Sequence, residues 1–214
     1  NHILMKGRFI MIAIIDYGAG NIQSVYKALK FIGADCKVTS DKDEILNADG
    51  AILPGVGSFG DAMDTMTKRG IKDTIIEYTK SGKPFLGICL GLQLLFPESE
   101  ETPGVKGLDI FKGTITKIPN QNRTLKIPHM GWNNISIKQK NGIFKDIEGE
   151  PYVYFVHSFY LKAQDKDIVA ATTQYGVEID AAVQKGNIIA TQFHPEKSGE
   201  VGLKMLKNFV EMVK

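Results

Sequence analysis

The chain has 214 residues, 43% hydrophobic and 23% charged, an ordinary globular composition that excludes a disordered, collagenous or coiled-coil chain. Lys and Arg number 26 against 24 Asp and Glu, a formal charge of +2. The three arginines (Arg8, Arg69, Arg123) are scattered, so there is no basic stripe for nucleic acid. Two cysteines, Cys36 and Cys89, are too few for a disulfide framework and fit a reducing compartment. No apolar run approaches the roughly 18 residues of a membrane span. A cytoplasmic location, with no membrane or nucleic-acid partner, is the expectation. Residues 1–10 precede a natural-looking start at Met11 and lack the apolar core of a signal peptide. They read as a leader or cloning remnant, and residues 11–214 as a single domain.

Residues 11–16 (Met-Ile-Ala-Ile-Ile-Asp) are a short apolar run ending before Gly18, the pattern of a buried parallel strand. Val25, Leu29 and Ile32 recur at helical spacing and Gly33 stops the helix. Residues 36–39 and 51–53 are short strands, and the second runs into Pro54-Gly55-Val56-Gly57. Residues 59–79 are predicted as two helical pieces broken near Gly70, 83–89 as a strand and 90–96 as a helix. This alternation predicts an α/β fold with a doubly wound, mostly parallel sheet, whose ligands bind at the carboxyl ends of the strands. The second half reads as antiparallel strands at 114–118, 133–137, 152–161, 169–175 and 180–192, the last turning at Lys185-Gly186-Asn187. Residues 202–213 form an amphipathic helix with Leu203, Leu206, Phe209 and Val210 on one face.

The sharpest motif is Gly87-Ile88-Cys89-Leu90-Gly91. Between a strand and a helix, G-x-C-x-G is the cysteine form of a nucleophile elbow. The turn lifts the thiol off the sheet edge, and the helix N-terminus favours a thiolate. A thiolate nucleophile needs an imidazole partner. His194, in Phe193-His194-Pro195-Glu196, has a carboxylate two residues on that can orient its ring. His129 and His157 read as packing or loop histidines. Four His without paired ligands predict no metal site. Acyl transfer also needs an oxyanion hole. The Leu90 amide is one expected donor, and the loop holding Gly55, Val56 and Gly57 can turn a second amide inward. Asp16-Tyr17-Gly18-Ala19-Gly20-Asn21 lacks the third glycine of a dinucleotide fingerprint, and no cofactor is expected. Cys36 reads as a core cysteine.

Together these motifs resemble the class I, triad-type glutamine amidotransferases. More narrowly, residues 15–21, Pro128-His129-Met130-Gly131-Trp132-Asn133 and 193–199 resemble the glutaminase-subunit family of imidazole glycerol phosphate synthases, and the likeness runs from Met11 to the C-terminus. The resemblance implies Cys89 as nucleophile, His194 as general base and acid, and Glu196 as orienting carboxylate. It implies Gln93, Glu101, Ser158 and Phe159 as contacts to glutamine, with Phe159 standing where many relatives have Tyr. It also implies Asn21, Trp132, Tyr154 and Lys197 as the face toward a cyclase subunit that receives the ammonia in histidine biosynthesis. The same donor chemistry would serve a sugar-amidating enzyme. A non-catalytic subunit or a cysteine peptidase fits the triad and Gln93 less well.

Overall fold

A computed structural model describes residues 10–18, 20–120 and 123–214. The proposed leader thus lies, but for Ile10, outside the described residues.

The four-residue strands β1 (Ile12–Ile15), β3 (Gly50–Leu53) and β4 (Phe85–Ile88) are buried along their whole length. Near-continuous apolar strands are what a parallel sheet covered on both faces demands. Each buried Ile, Leu or Phe contributes about 1.5–3 kcal/mol of transfer free energy. Strand β2 (Cys36–Thr39), more exposed, forms the edge. Helix α1 (Ile22–Phe31) buries Val25 and Leu29. Helices α3 (Phe59–Lys68) and α4 (Ile71–Thr79) are separated by Gly70, whose φ of +69° a β-carbon would strain. Helix α2 (Lys42–Asn47), which the apolar periodicity does not announce, starts where the Asp41 carboxylate accepts the Glu44 N–H at 2.9 Å.

Three sequence expectations are corrected. The helix expected over 90–96 is only α5 (Leu90–Gln93). Beyond it the bonds tighten to i−3, with Leu95 N–H on Leu92 O and Phe96 N–H on Gln93 O. The Leu94 and Leu95 carbonyls turn to accept the amides of Leu108, Ile110 and Phe111, and Pro97 follows. The strand expected over 152–161 is two strands, β8 (Tyr152–His157) and β9 (Phe159–Ala163), broken at Ser158. They belong to different sheets: β8 pairs with β6 (His129–Asn134) in a separate ribbon, whereas β9 pairs with β5 (Gly113–Lys117). The strand expected over 133–137 divides likewise, into the end of β6 and the short β7 (Ser136–Ile137).

Strand β11 (Val177–Lys185) turns through Gly186 into β12 (Ile188–Thr191), antiparallel to it. Strand β12 also pairs in parallel with β4. The described sheet therefore runs β2-β1-β3-β4-β12-β11-β10-β7, with β10 at Val169–Tyr175, and β9 joins it against β11. Its parallel part has the doubly wound order predicted, and the carboxyl ends of β1, β3, β4 and β12 open on one side. Helix α6 (Gly199–Val213) starts three residues earlier than expected. It buries Leu206 and Phe209, and leaves Leu203 and Val210 partly covered. No helix among the described residues is long and apolar enough to cross a membrane.

Candidate active site

Cys89 follows β4 directly and is buried. Its φ of +56° and ψ of −109° are strained for a residue with a side chain. The flanking glycines explain how the turn fits. A β-carbon on Gly91 would stand 2.1 Å from the Leu53 carbonyl oxygen, and one on Gly87 would stand 2.7 Å from that of Gly91. Strand β3, strand β4 and the first turn of α5 are thus in backbone contact, which lifts the sulfur to the rim of the sheet.

His194 lies three residues past the end of β12, and its backbone amide donates to the Tyr154 carbonyl at 2.9 Å. Its Nδ1 stands 2.7 Å from Glu196 Oε1, both side chains being sealed from solvent. Pro195 opens the short 3-10 turn that carries Glu196 back under the ring. Burial works against the imidazolium, but hydrogen bonding and charge from Cys89 and Glu196 prevail and raise His194 to about 10. Nε2 has no full hydrogen bond of its own, so its coupling to Cys89 is a close electrostatic approach. Cys89, His194 and Glu196, the residues expected to form the triad, thus come from beyond the ends of two adjacent parallel strands.

A cavity of about 280 Å³ opens over the sulfur. Cys89, Leu90, Gln93, Glu101, Ser158 and Phe159 all line it, as do Val56 and Gly57. Glu101 Oε2 accepts the Phe59 N–H at 2.9 Å, so its carboxylate is held at the start of α3. Among the described residues no group of three or more His, Cys, Asp and Glu gathers to hold a metal ion.

On the oxyanion side the sequence names the donors, Leu90 and the 55–57 loop, but not the resting state of that loop. The Leu90 N–H already donates to the Gly55 carbonyl, at a long 3.4 Å. Gly55 is hemmed in: a β-carbon there would lie 2.6 Å from Tyr17 Oη and 2.9 Å from Leu90 Cβ. Tyr17 Oη is buried with no hydrogen-bond partner, and burial raises its pKa. Gly57 has φ +97° and open space around it.

Of the residues expected to face a partner, Trp132 is 55% exposed and its ring meets Tyr154 edge-on at 6.1 Å. Lys197 is exposed beside the triad turn. Asn21 does something else as well: its Nδ2 donates to Glu196 Oε1 at 2.8 Å, so that oxygen is shared between His194 and Asn21. Three residues passed over by sequence reasoning also belong here. Gln192, wholly buried, donates from Nε2 to Cys89 Sγ at 3.6 Å and accepts from Gln93 Nε2 at 3.0 Å. His129 and His157 are buried and joined, Nδ1 to Nε2, at 2.9 Å. Burial lowers His129 to about 4 and His157 to about 3, so both rings are neutral at physiological pH. A glutamine one residue before the Phe-His-Pro-Glu run was the available signal for Gln192; nothing in the sequence pairs the two histidines.

Comparison with known proteins agrees with this geometry. The description "Glutamine amidotransferase class-I" fits residues 13–213. By fold, the chain superposes on a structure of PurLQS from Thermotoga maritima with a TM-score of 0.74 at 21% identity, covering 96% of this chain and 99% of that one. A second structure described as a glutamine amidotransferase gives 0.73 at 18% identity, over 94% and 98%. The chain belongs to the class-I glutamine amidotransferases.

Within that class its place is with the HisH subunits of imidazole glycerol phosphate synthase. It is 53% identical to the one from Caldanaerobacter subterraneus over 204 residues, 95% of this chain and 99% of the relative. It is 52% identical to that from Methanothermobacter thermautotrophicus, over 95% and 100%. The chain is a glutaminase subunit, and these relatives do not favour the sugar-amidating alternative.

Proposed function

We propose that Cys89, His194 and Glu196 hydrolyse glutamine to glutamate and ammonia, and that the ammonia passes to a cyclase subunit for imidazole glycerol phosphate synthesis. The observation that carries this reading is the juxtaposition of the Cys89 elbow, the sealed His194–Glu196 pair and Gln93 around one cavity. On this reading residues 11–214 act as one cytoplasmic domain, without cofactor or metal.

The sulfur attacks the side-chain amide carbon of glutamine, forming a C–S bond and an oxyanion. His194 gives its proton to the departing nitrogen, the C–N bond breaks and ammonia leaves a glutamyl thioester. Water, losing a proton to His194, then cleaves the thioester and releases glutamate and the thiol. Gln93, Glu101 and the backbone at Ser158 and Phe159 hold the amino-acid end of the substrate. Oxyanion donors supply roughly 10²–10³-fold in such reactions.

The Gly55 carbonyl now occupies the Leu90 amide. Rotation of the Gly55–Val56 peptide would free that amide and bring the Val56 N–H round beside it. Hydrolysis is therefore gated, and the partner-facing residues Trp132, Tyr154, Lys197 and Asn21 surround the triad turn where a cyclase could act on the gate. The test is glutamate release with and without the cyclase subunit and its ribulosyl ligand. Strong activation is expected; turnover that is high alone and unchanged by the partner contradicts the gate.

A further inference from the structure

The Phe159 carbonyl oxygen accepts two hydrogen bonds, from His157 Nδ1 at 2.8 Å and from Gln93 Nε2 at 3.0 Å. A carbonyl can only accept, so this one atom sets the direction of every bond on either side of it. On the first side, His157 must carry its proton on Nδ1. Its ring being neutral, Nε2 is an acceptor, and His129 Nδ1 facing it at 2.9 Å must be the donor. His129 Nε2 is then an acceptor, met by Asn133 Nδ2 at 3.3 Å. That the Asn133 atom is nitrogen is fixed independently, since it also donates to the Gln174 carbonyl at 2.9 Å. On the second side, Gln93 presents its amide nitrogen to Phe159, so the Gln192 atom it also meets at 3.0 Å is Oε1. Gln192 therefore turns its N–H toward Cys89 Sγ, at 3.6 Å.

We propose that His129, His157 and Gln192 are positioning residues for glutamine hydrolysis: with Gln93 they form one directed hydrogen-bond chain, keyed by the Phe159 carbonyl, from the β6–β8 ribbon to the nucleophilic sulfur. The proposal rests on Cys89 being that nucleophile. The chain does two things. It spends the Gln93 amide N–H groups internally, leaving Oε1 as the end that a substrate ammonium can use. It also places a neutral donor on the sulfur, where it stabilises a thiolate without protonating it. His129 is held for this role by stacking between Phe155 and Tyr175, at ring distances of 4.6 and 4.0 Å. A ring so confined cannot turn over to exchange its two nitrogens.

The experiment has two parts, both on the chain assembled with its cyclase subunit. Nitrogen-15 histidine spectra at neutral pH should show His129 and His157 as neutral Nδ1–H tautomers, the less common form in water. An Nε2–H form in either ring overturns the chain, and this readout needs no variant to fold. Steady-state kinetics supply the second. Gln192→Met, which keeps length and loses both polar ends, should lower kcat/KM for glutamine about ten- to a hundredfold, the effect of losing a hydrogen bond to a charged group. It should slow iodoacetamide alkylation of Cys89 as well. His157→Leu should raise KM for glutamine about tenfold, the effect of losing the buried bond that fixes the Phe159 carbonyl. His157→Asn, whose amide can still donate to Phe159, should recover most of that loss. Variants that fold and keep both constants within twofold of an active wild type overturn the proposal. A wild-type complex that releases no glutamate overturns instead the reading of Cys89 on which it rests.

Discussion

The two sides of the Cys89 sulfur are in different states of completion. On the imidazole side the His194–Glu196 pair is in place: His194 meets Glu196 at 2.7 Å, and Glu196 is held again by Asn21 at 2.8 Å. On the oxyanion side the Leu90 amide is occupied by the Gly55 carbonyl. The first side is built from the ends of β4 and β12, which are locked in register in the sheet. The second is a loop whose Gly57 has empty space around it. On the proposed reading, a rigid sheet holds the nucleophile ready while a glycine loop withholds an oxyanion donor, which would spare glutamine until an acceptor is present.

The largest expected effect comes from removing the finished side. Cys89→Ala should abolish glutamine-dependent synthesis by the complex, a loss of about 10³-fold or more by analogy with other triads. Turnover with added ammonium should survive, because the acceptor chemistry lies in the other subunit. Glu196→Gln tests whether charge or shape matters in the buried pair. It keeps the size and removes the anion that holds the His194 ring, and should cost about 10²–10⁴-fold in kcat.

Val56→Pro breaks the unfinished side instead. Proline lacks the N–H that the gate would deliver. Partner-activated hydrolysis should fall about 10²–10³-fold, while the circular dichroism and the unfolding midpoint of the isolated chain stay close to wild type. A variant that remains fully activated would show that Val56 is not the donor. Asn21→Ala, which frees Glu196 Oε1 of one partner, should have a smaller effect of a few-fold on kcat.

The smallest effects are on stability. His194 is raised to about 10 in the folded chain against 6.5 for an ordinary histidine. Its contribution is fully present below about pH 6.5 and is lost as pH rises toward 10. His129 and His157 have the opposite sign, at about 4 and about 3. Their contribution is present above pH 6.5 and is lost as pH falls toward 4 and below, as the unfolded chain takes up protons that the folded chain refuses. Urea midpoints should therefore decline on both sides of neutrality, and a midpoint flat from pH 7 to 4 would contradict the buried neutral pair.

How far the sequence reveals this division follows from the range of the forces involved. The parallel half is legible because Ile12, Ile14, Ile52 and Leu86 sit in short apolar runs punctuated by glycine. The elbow and the His194–Glu196 spacing are legible because each is local, within five residues. Helix α5 ends early because carbonyls of Leu94 and Leu95 are taken by a loop 14 to 16 residues away, which no local pattern encodes. The 152–161 stretch reads as one strand because its alternation is unbroken; only pairing with two different sheets divides it. The state of the Gly55 carbonyl and the chain through His129, His157 and Gln192 depend on contacts between residues tens of positions apart, and residue types alone do not announce them.

The central claim is that the nucleophile is ready while the oxyanion hole is not. Alkylation of Cys89 by iodoacetamide needs the first and not the second, since it develops no oxyanion. Its rate should be measured beside glutamine hydrolysis, with and without the cyclase subunit and its ligand. The account predicts alkylation within about twofold in both states while hydrolysis rises by about the 10²–10³ that an oxyanion donor supplies. Alkylation that climbs in parallel with hydrolysis would place the switch in the triad itself and contradict it.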